Sequence, residues 1–530
     1  MPFVNKVLTY LLYNDKIYFE VVFKSEVKLP FKPQKEIDMK KFLAIFLALL
    51  ICVPLLASCN LDLSEQFGQL SDQLFSQIVD LAGGFIKEDT AQKETFDYSS
   101  ELIKDSSTED IESTPVETEP ENPDEPENPD EPELPDVPKL PELVAYTRTK
   151  SAVHKFIGLN VTSSYHKEGG AYGFARLYRA YDKIIDDSEG YAYFRLYGID
   201  PLLFIDLNLS AVKAEPEENQ LSYTDVAGRL YEFAKNYCST GSSFNLGRIE
   251  IGSNPDLTMS AEEYAALVNY IYDGNQSELG DGYGIARINP NVKLITGSLS
   301  TLDLDYIKAL MTAISGLRND GFLPIGGWAF NYQKGGAPES AYLNDPALLE
   351  LIEYRDTYYS NMEIIISSFG WDTVDTESPY YAPQYFGVYS SEEIQAAYIM
   401  RAYMIFDMLG VDRATLVALK DTEDNGCGLV TEGGKKKVSF NTLTTFKSLM
   451  KNMYFEEAVE NGENGVYCYK YKNASGKEVY ALWSTSKTNY TLSIEGAVTV
   501  STYGSGAYTS ETVDTLDALS LYQMPVFVTK

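Results

Sequence analysis

Carboxylates stand where three apolar runs of the chain stop: Asp206 near the close of residues 201–208, Asp256 just past 246–252, and Asp372 just past 362–369. A carboxyl group at the end of a strand suits acid–base work, because the strand fixes it while the end leaves it open to a ligand. Beside these groups lie amides and hydroxyls, in Asn254, Asn331, Tyr332 and Ser368, and two indoles, Trp328 and Trp371. An amide has no proton to give at neutral pH and an unactivated serine is a weak nucleophile, so such side chains hold better than they react. Histidine adds little. Only His154 and His166 occur, too few for a histidine-rich metal site and little material for a Ser-His-Asp triad. Cys238, Cys427 and Cys468 have no zinc spacing; one disulfide is open to them, with buried thiols the expectation. Neither metal nor other cofactor is expected.

The elements that must position these residues follow from composition and pattern. The chain has 530 residues, 77 acidic against 43 basic, and a formal charge of -34 with 44% hydrophobic residues. The sign excludes a binder of the nucleic-acid backbone, which needs a basic face, and the apolar fraction excludes wholesale disorder. Half of the charge is concentrated: residues 88–142 hold 20 acidic and 3 basic side chains, with Glu-Asn-Pro-Asp-Glu-Pro repeats. Proline every few residues with like charges between them cannot bury apolar area, so 88–142 is expected as a disordered acidic linker, extended and self-repelling.

Upstream, Met39 is followed by Lys40, Lys41, the apolar run 42–56, and Leu56-Ala57-Ser58-Cys59. A short basic stretch, an apolar core too short to span a bilayer and small residues before a cut site make a secretory signal. With cysteine at the cut, it resembles a bacterial lipoprotein signal. That resemblance implies a mature chain starting at Cys59 with a diacylglyceryl anchor in the cell membrane, exposed outside the cell. Residues 1–38 would then be upstream extension, 39–58 signal, and 59–87 the lipidated start with an amphipathic helix.

From residue 143 onward, strands alternate with amphipathic helices, which argues for a parallel sheet. Strands are expected at 156–161, 201–208, 246–252, 292–297, 323–330, 362–369 and 413–419. Helices are expected at 225–237, 260–272 with a Ser260/Glu263 capping box, 305–317, 345–355, 392–409 and 441–451. Six or more such units in about 300 residues fit an α/β fold of the (β/α)8, or TIM-barrel, type over 143–455. After Gly465 short alternating strands take over, at 466–471, 479–483, 490–494, 498–502 and 526–529, so a small antiparallel β-sandwich domain is expected over 456–530, with Trp483 in its core.

Two stretches carry a family resemblance. The first is Arg248-Ile249-Glu250-Ile251-Gly252-Ser253-Asn254-Pro255-Asp256 with Tyr272-Asp273-Gly274; the second is Ile364-Ile365-Ile366-Ser367-Ser368-Phe369-Gly370-Trp371 with Ser378-Pro379 and a helix containing Glu392, Gln395 and Arg401. These are similar to the fourth and seventh strands of clan-A glycoside hydrolases, nearest the family of xylosidases and iduronidases. The resemblance implies a barrel that accommodates a sugar, with one carboxyl group protonating the leaving oxygen and a second, ~5 Å away, attacking the anomeric carbon. It places the acid at Asn254 and the nucleophile at Ser368, and neither residue is a carboxylate. Asn331 stands where the family often has histidine, Trp328 and Trp371 would stack on a sugar ring, and Arg176 would correspond to a ligand-contacting arginine on the second strand.

Other carboxylates lie near enough in the sequence to be considered as replacements. Glu250 shares the facing of Asn254 but lies about 13 Å deeper, at ~3.3 Å per residue, and is expected as a core carboxylate with a polar partner. Glu363 is expected to face the helices. Asp256 and Asp372 are either ligand contacts or turn and cap residues, and a Tyr332 nucleophile has no support in the spacing. The expectation is an inactive, carbohydrate-binding barrel whose partner is a glycan or an envelope component. The alternatives are an active glycosidase with a displaced carboxylate, or a scaffold lipoprotein with a closed cleft.

Overall fold

The computed structural model describes residues 148–530 apart from 163–169, 186–193, 195–196, 240–241, 243–245, 277, 281 and 386–387. The expected signal, the Cys59 anchor, the amphipathic helix, the acidic linker and His166 all lie outside the described residues. No described helix is long and apolar enough to cross a membrane.

Eight parallel strands close into a barrel: β1 (Ile157–Val161), β2 (Phe174–Ala180), β3 (Asp200–Asp206), β4 (Arg248–Ser253), β5 (Lys293–Ser298), β6 (Ile325–Asn331), β7 (Glu363–Phe369) and β8 (Arg413–Leu416), each paired with its sequence neighbour and β8 with β1. Helices follow β3 to β8 in turn: α1 (Tyr223–Tyr237), α2 (Ala261–Asp273), α3 (Leu304–Leu317), α4 (Pro346–Tyr358), α5 (Ser391–Leu409) and α6 (Val438–Leu449). Their starts are written locally. Ser222 with Asp225, Ser260 with Glu263 and Ser390 with Glu393 each form a reciprocal capping box, satisfying two otherwise orphaned amides per helix. The seven expected barrel strands are present within a few residues of their expected ends. The eighth, β2, reads Phe-Ala-Arg-Leu-Tyr-Arg-Ala, and its inward side carries Arg176 and Tyr178 rather than aliphatic groups.

The barrel interior is layered. Phe174, Leu202, Ile295, Ala329 and Ile365 make a small apolar layer in the lumen, while the main core lies between strands and helices. Below that layer, toward the strand starts, Glu363 takes bonds from Arg248 at 2.8 and 2.9 Å and from Lys293 at 2.6 Å. Glu363 shares its parity with Ile365 and so points into the barrel, not at the helices as expected. Burial alone would raise its pKa, but Arg248, Arg413 and Lys293 outweigh that and hold it well below the ordinary carboxylate range.

The C-terminal domain is a six-stranded antiparallel sheet in the order β9-β10-β11-β14-β12-β13, formed by β9 (Tyr454–Asn461), β10 (Val466–Lys472), β11 (Glu478–Ser484), β12 (Val498–Gly504), β13 (Ala507–Val513) and β14 (Val526–Thr529). Alternation splits it cleanly. Tyr467, Tyr469, Tyr471, Trp483 and Phe527 join the barrel core. Val466, Cys468, Leu482 and Val526 face a second, smaller core completed by the ribbon of Thr488–Tyr490 and Leu519–Leu521, giving the sandwich its other layer. The three described cysteines are buried thiols, and burial pushes Cys238 and Cys468 up to about 12.

Where the segment leading into β1 meets α4 and the end of α5, a cavity of about 230 Å³ is lined by Arg148, Arg355, Asp356, Asp407 and Asp412 among others. Asp407, 2% exposed, has Lys150 at 4.0 Å and no hydrogen-bond partner for its second oxygen. Burial pushes it up to about 7, Lys150 opposes this, and Asp412 adds to it. The folded carboxyl thus keeps its proton to about pH 7, whereas an unfolded one releases it near 3.9. Its contribution to stability is complete below the unfolded value and is lost as pH rises toward 7. Asp407→Asn should therefore melt increasingly above wild type from about pH 4 to about pH 7 and by a steady margin beyond that. A constant difference in melting temperature between about pH 4 and about pH 7 would refute this account.

Candidate functional site at the barrel mouth

The mouth is built from the strand ends, and at β4 the backbone decides what can stand there. Gly252 has φ +72°, and a Cβ at that position would come within 2.6 Å of Leu209, so only glycine fits. Asn254 follows in the left-handed region at φ 48°, ψ 51°, a conformation that asparagine tolerates better than most residues. Its N–H donates to the Ser298 carbonyl at 2.7 Å, and its own carbonyl accepts from Leu257 N–H and Thr258 Oγ1, each at 3.0 Å. The side-chain amide caps nothing and is half-exposed. Asn254 is thus available to a ligand as a neutral hydrogen-bonding group.

At the end of β7 the ladder slips on both sides. Ile366 pairs with Phe330 and the next partners are Ser368 with Asn331; against β8, the step runs from Ile366 to Phe369. This bulge falls on Ser367 and Ser368, the second of which is the position where the resemblance calls for a nucleophile. Ser367, fully buried, has its Oγ against Ser298 Oγ and donates to Asn331 Oδ1 at 3.3 Å. The Ser367 carbonyl accepts from Asn160 Nδ2 at 2.7 Å and from Thr415 Oγ1. Ser368, 5% exposed, accepts Tyr332 N–H through its carbonyl at 2.9 Å.

Directly beneath, the lumen holds a paired charge. Arg176 on β2 grips Glu250 on β4 with Nε to Oε2 at 2.7 Å and Nη2 to Oε1 at 2.6 Å, a bidentate geometry. Its Nη1 donates to Asn160 Oδ1 at 2.9 Å, its guanidinium lies 4.0 Å over the Phe204 ring, and Ser298 N–H donates to Glu250 Oε1 at 3.0 Å. Arg176 is 4% exposed and Glu250 0%. Glu250 is therefore a core carboxylate with a partner, as read from the sequence, and Arg176 spends its charge on it instead of reaching a ligand from the mouth.

The remaining candidates divide by exposure. Half-exposed Asp206 accepts from Tyr178 Oη at 2.9 Å, and half-exposed Asn331 donates to the Leu299 carbonyl at 3.2 Å. Asp256 is tied to the loop after β5, taking Ser300 N–H at 2.9 and 3.1 Å and the Ser300 hydroxyl. Asp372 Oδ1 takes the N–H groups of Val374 at 2.7 Å, Asp375 at 3.0 Å and Gly426 at 3.2 Å, which makes it a turn residue. Tyr332 is buried against Phe330 and Tyr342.

Both indoles depart from expectation. Trp328 has the opposite parity from Ala329, so it faces the helices, between Tyr354 and Tyr359. Trp371 folds back into a cage of Tyr342, Phe369 and Tyr398 and donates to the Gly336 carbonyl at 2.8 Å. Each is 0% exposed, so neither offers a face to a sugar. The structure also assembles residues the sequence did not single out: Asn160, Tyr178, Phe204 and Ser298. Inward parity relative to Arg176 and Glu250 is the signal that finds them, once the register between strands is known.

No family model and no curated protein matches the chain. Among solved structures, the fold is similar to a family 39 glycoside hydrolase from Bacteroides cellulosilyticus WH2, with a TM-score of 0.52 at 14% identity over 72% of this chain and 82% of that one. The catalytic domain of a GH30 xylanase C from Talaromyces cellulolyticus gives a TM-score of 0.48 at 10% identity, over 73% and 98% of the two chains. The described residues thus carry a glycoside-hydrolase-like (β/α)8 barrel with an attached β-sandwich.

Proposed function

We propose that this chain is a lipid-anchored, extracellularly displayed barrel that binds a glycan or a neighbouring envelope component at its mouth without hydrolysing it. One observation carries the reading: the two positions that need free carboxylates hold Asn254 and the Ser367–Ser368 bulge, and the nearest lumen carboxylate, Glu250, is already neutralised by Arg176. Loss of the acid alone removes about 10²- to 10⁴-fold of rate, and loss of the nucleophile removes the covalent route as well. Asp256 and Asp372 are poor substitutes, because Asp256 spends both oxygens on Ser300 and Asp372 is buried with Oδ1 holding three backbone amides. Purified wild-type protein should give no release from aryl glycosides above buffer; turnover at rates ordinary for glycosidases would overturn the reading. On a glycan array, Asp206→Asn/Asn254→Ala should lower retention about tenfold with an unchanged melting temperature, roughly the loss of two modest hydrogen bonds. The scaffold alternative draws on the burial of Trp328 and Trp371, which leaves the mouth without an aromatic platform from either. Absence of any glycan retention by wild type would favour it.

A further inference from the structure

Residues 148–153 cross the ends of α4 and α5 as a strap that is fastened at both ends and lightly held between them. Arg148 donates from Nε to Asp412 Oδ1 at 2.7 Å and from Nη2 to the Gly410 carbonyl at 2.8 Å. At the far end Ser151 Oγ meets Arg413 Nη1, and Val153 N–H donates to the Met453 carbonyl at 2.9 Å. Lys150 lies between these points. Its Nζ makes a long contact of 3.4 Å to the Phe455 carbonyl and rests 5.0 Å from the centre of the Phe455 ring. It stands 4.0 Å from Asp407 Oδ1, beyond hydrogen-bond reach.

Several charged and titratable groups face Asp407. The strap brings Arg148 and Lys150, α4 brings Arg355 and Asp356, the chain after α5 brings Asp412, and β10 brings the hydroxyl of Tyr471. Arg148 is engaged with Asp412 and Gly410. Arg355 donates to Asp356 at 2.8 Å, to the Gly410 carbonyl at 2.7 Å and to Asp412 Oδ2 at 3.3 Å. Asp407 Oδ2 and Tyr471 Oη are buried without a hydrogen-bond partner. Burial, then the charge of Asp407, holds the Tyr471 hydroxyl well above its ordinary range, so it stays neutral. Ionising a buried carboxyl that has no partner is strongly disfavoured, and burial accordingly keeps the Asp407 proton to about pH 7. Lys150, with 45% of its side chain exposed, is the weakly held cation that can turn toward it. The cavity that both residues line, about 230 Å³, is several times the ~30 Å³ share of one water, so an ammonium group fits. Closing from 4.0 Å to the ~2.8 Å of a charge-assisted hydrogen bond takes only a rotation of the flexible stem.

We propose that Lys150 and Asp407 form a proton-operated latch on the start of the barrel domain. With Asp407 protonated, the ammonium rests on Phe455 and the middle of the strap is loose. When the carboxyl releases its proton to solvent, the ammonium enters the cavity, binds Asp407 and clamps residues 148–153 onto the end of α5. The latch closes as pH rises through about 7. It is independent of what the mouth binds.

Hydrogen–deuterium exchange of the full chain, read by mass spectrometry on peptides covering 148–156 and corrected for the intrinsic pH dependence of exchange, follows the latch. In wild type, protection of this segment should rise about tenfold from about pH 5.5 to about pH 8.5, the worth of one charge-assisted hydrogen bond. Asp407→Asn, which keeps the shape of the protonated carboxyl but cannot ionise, should show the same protection at both pH values. Lys150→Met, a change at an exposed side chain, should do likewise. Peptides from α1, remote from the strap, supply the baseline. Equal wild-type protection at the two pH values, or a rise that persists in Asp407→Asn or in Lys150→Met, would overturn the inference.

Discussion

Glu250→Ala is expected to destabilise the barrel by about 3–5 kcal/mol, the typical result of removing one partner from a buried ion pair. Arg176 is 4% exposed and held at 2.7 and 2.6 Å by the two oxygens of Glu250, which is itself 0% exposed. Losing Glu250 also orphans Ser298 N–H, which donates to it at 3.0 Å. Asn160 and the face of Phe204 would remain beside the guanidinium, but a neutral amide and a ring cannot balance a full charge taken out of water. The double variant Arg176→Met/Glu250→Leu should regain most of the loss, because well-packed apolar replacements of a buried pair are often neutral. Urea denaturation of the three proteins checks both statements; a single variant within about 1 kcal/mol of wild type would show that water enters the lumen and screens the pair.

Arg401→Met is expected to have an effect of similar size, but located between the two domains. Arg401 on α5 donates in bidentate fashion to Glu339, in the turn after β6, while Glu339 Oε1 also accepts Trp483 Nε1 at 2.7 Å from β11 and Arg401 Nη1 reaches Gln523 Oε1 at 2.5 Å. All four residues are at most 6% exposed, and Tyr398 lies 5.0 Å under the guanidinium. Helix, turn and sandwich are therefore fastened through one carboxylate. Removing the cation leaves Glu339 charged and buried, at about 3–5 kcal/mol. The three tryptophans of the chain are all fully buried, so their emission reports on both domains. In the variant the fluorescence transition should begin below the transition seen by far-UV circular dichroism, as Trp483 is wetted first. Coincident transitions at the wild-type temperature would remove the network from any structural role.

Much of the barrel could be read from the chain because most of its strands bury aliphatic residues on both faces and its helices open with explicit caps. β2 could not, since its inward side chains are Arg176 and Tyr178, whose partners Glu250 and Asp206 lie 74 and 28 residues away. A hydrophobic pattern has no term for a polar pair completed at that distance. β9, with Glu456, Glu457 and Glu460, is exposed along most of its length and held in part by ion pairs from Lys470 at 2.9 and 3.6 Å, so nothing apolar announces it. β13 is an equally exposed edge. At the site, motif position located Asn254 and Ser368, whereas the bulge that brings Ser367 into the lumen network is a property of pairing with β6 and β8. The tryptophans were misplaced for a simpler reason: Trp328 follows from strand parity, but the return of Trp371 beneath its own loop depends on Gly336 and Tyr398, which only the folded loops bring near.

The left-handed turn at residue 254 also bears on how readily the chain could be given a glycosidase's acid. Glutamate in that conformation carries a penalty of roughly 1–2 kcal/mol that asparagine largely avoids. The Ser298 carbonyl fastens the N–H of residue 254, and proline 255 fixes the next step. Asn254→Glu would thus put a carboxylate on a backbone that disfavours it, and a designer seeking an acid at this place would have to rebuild the end of β4 before choosing its side chains.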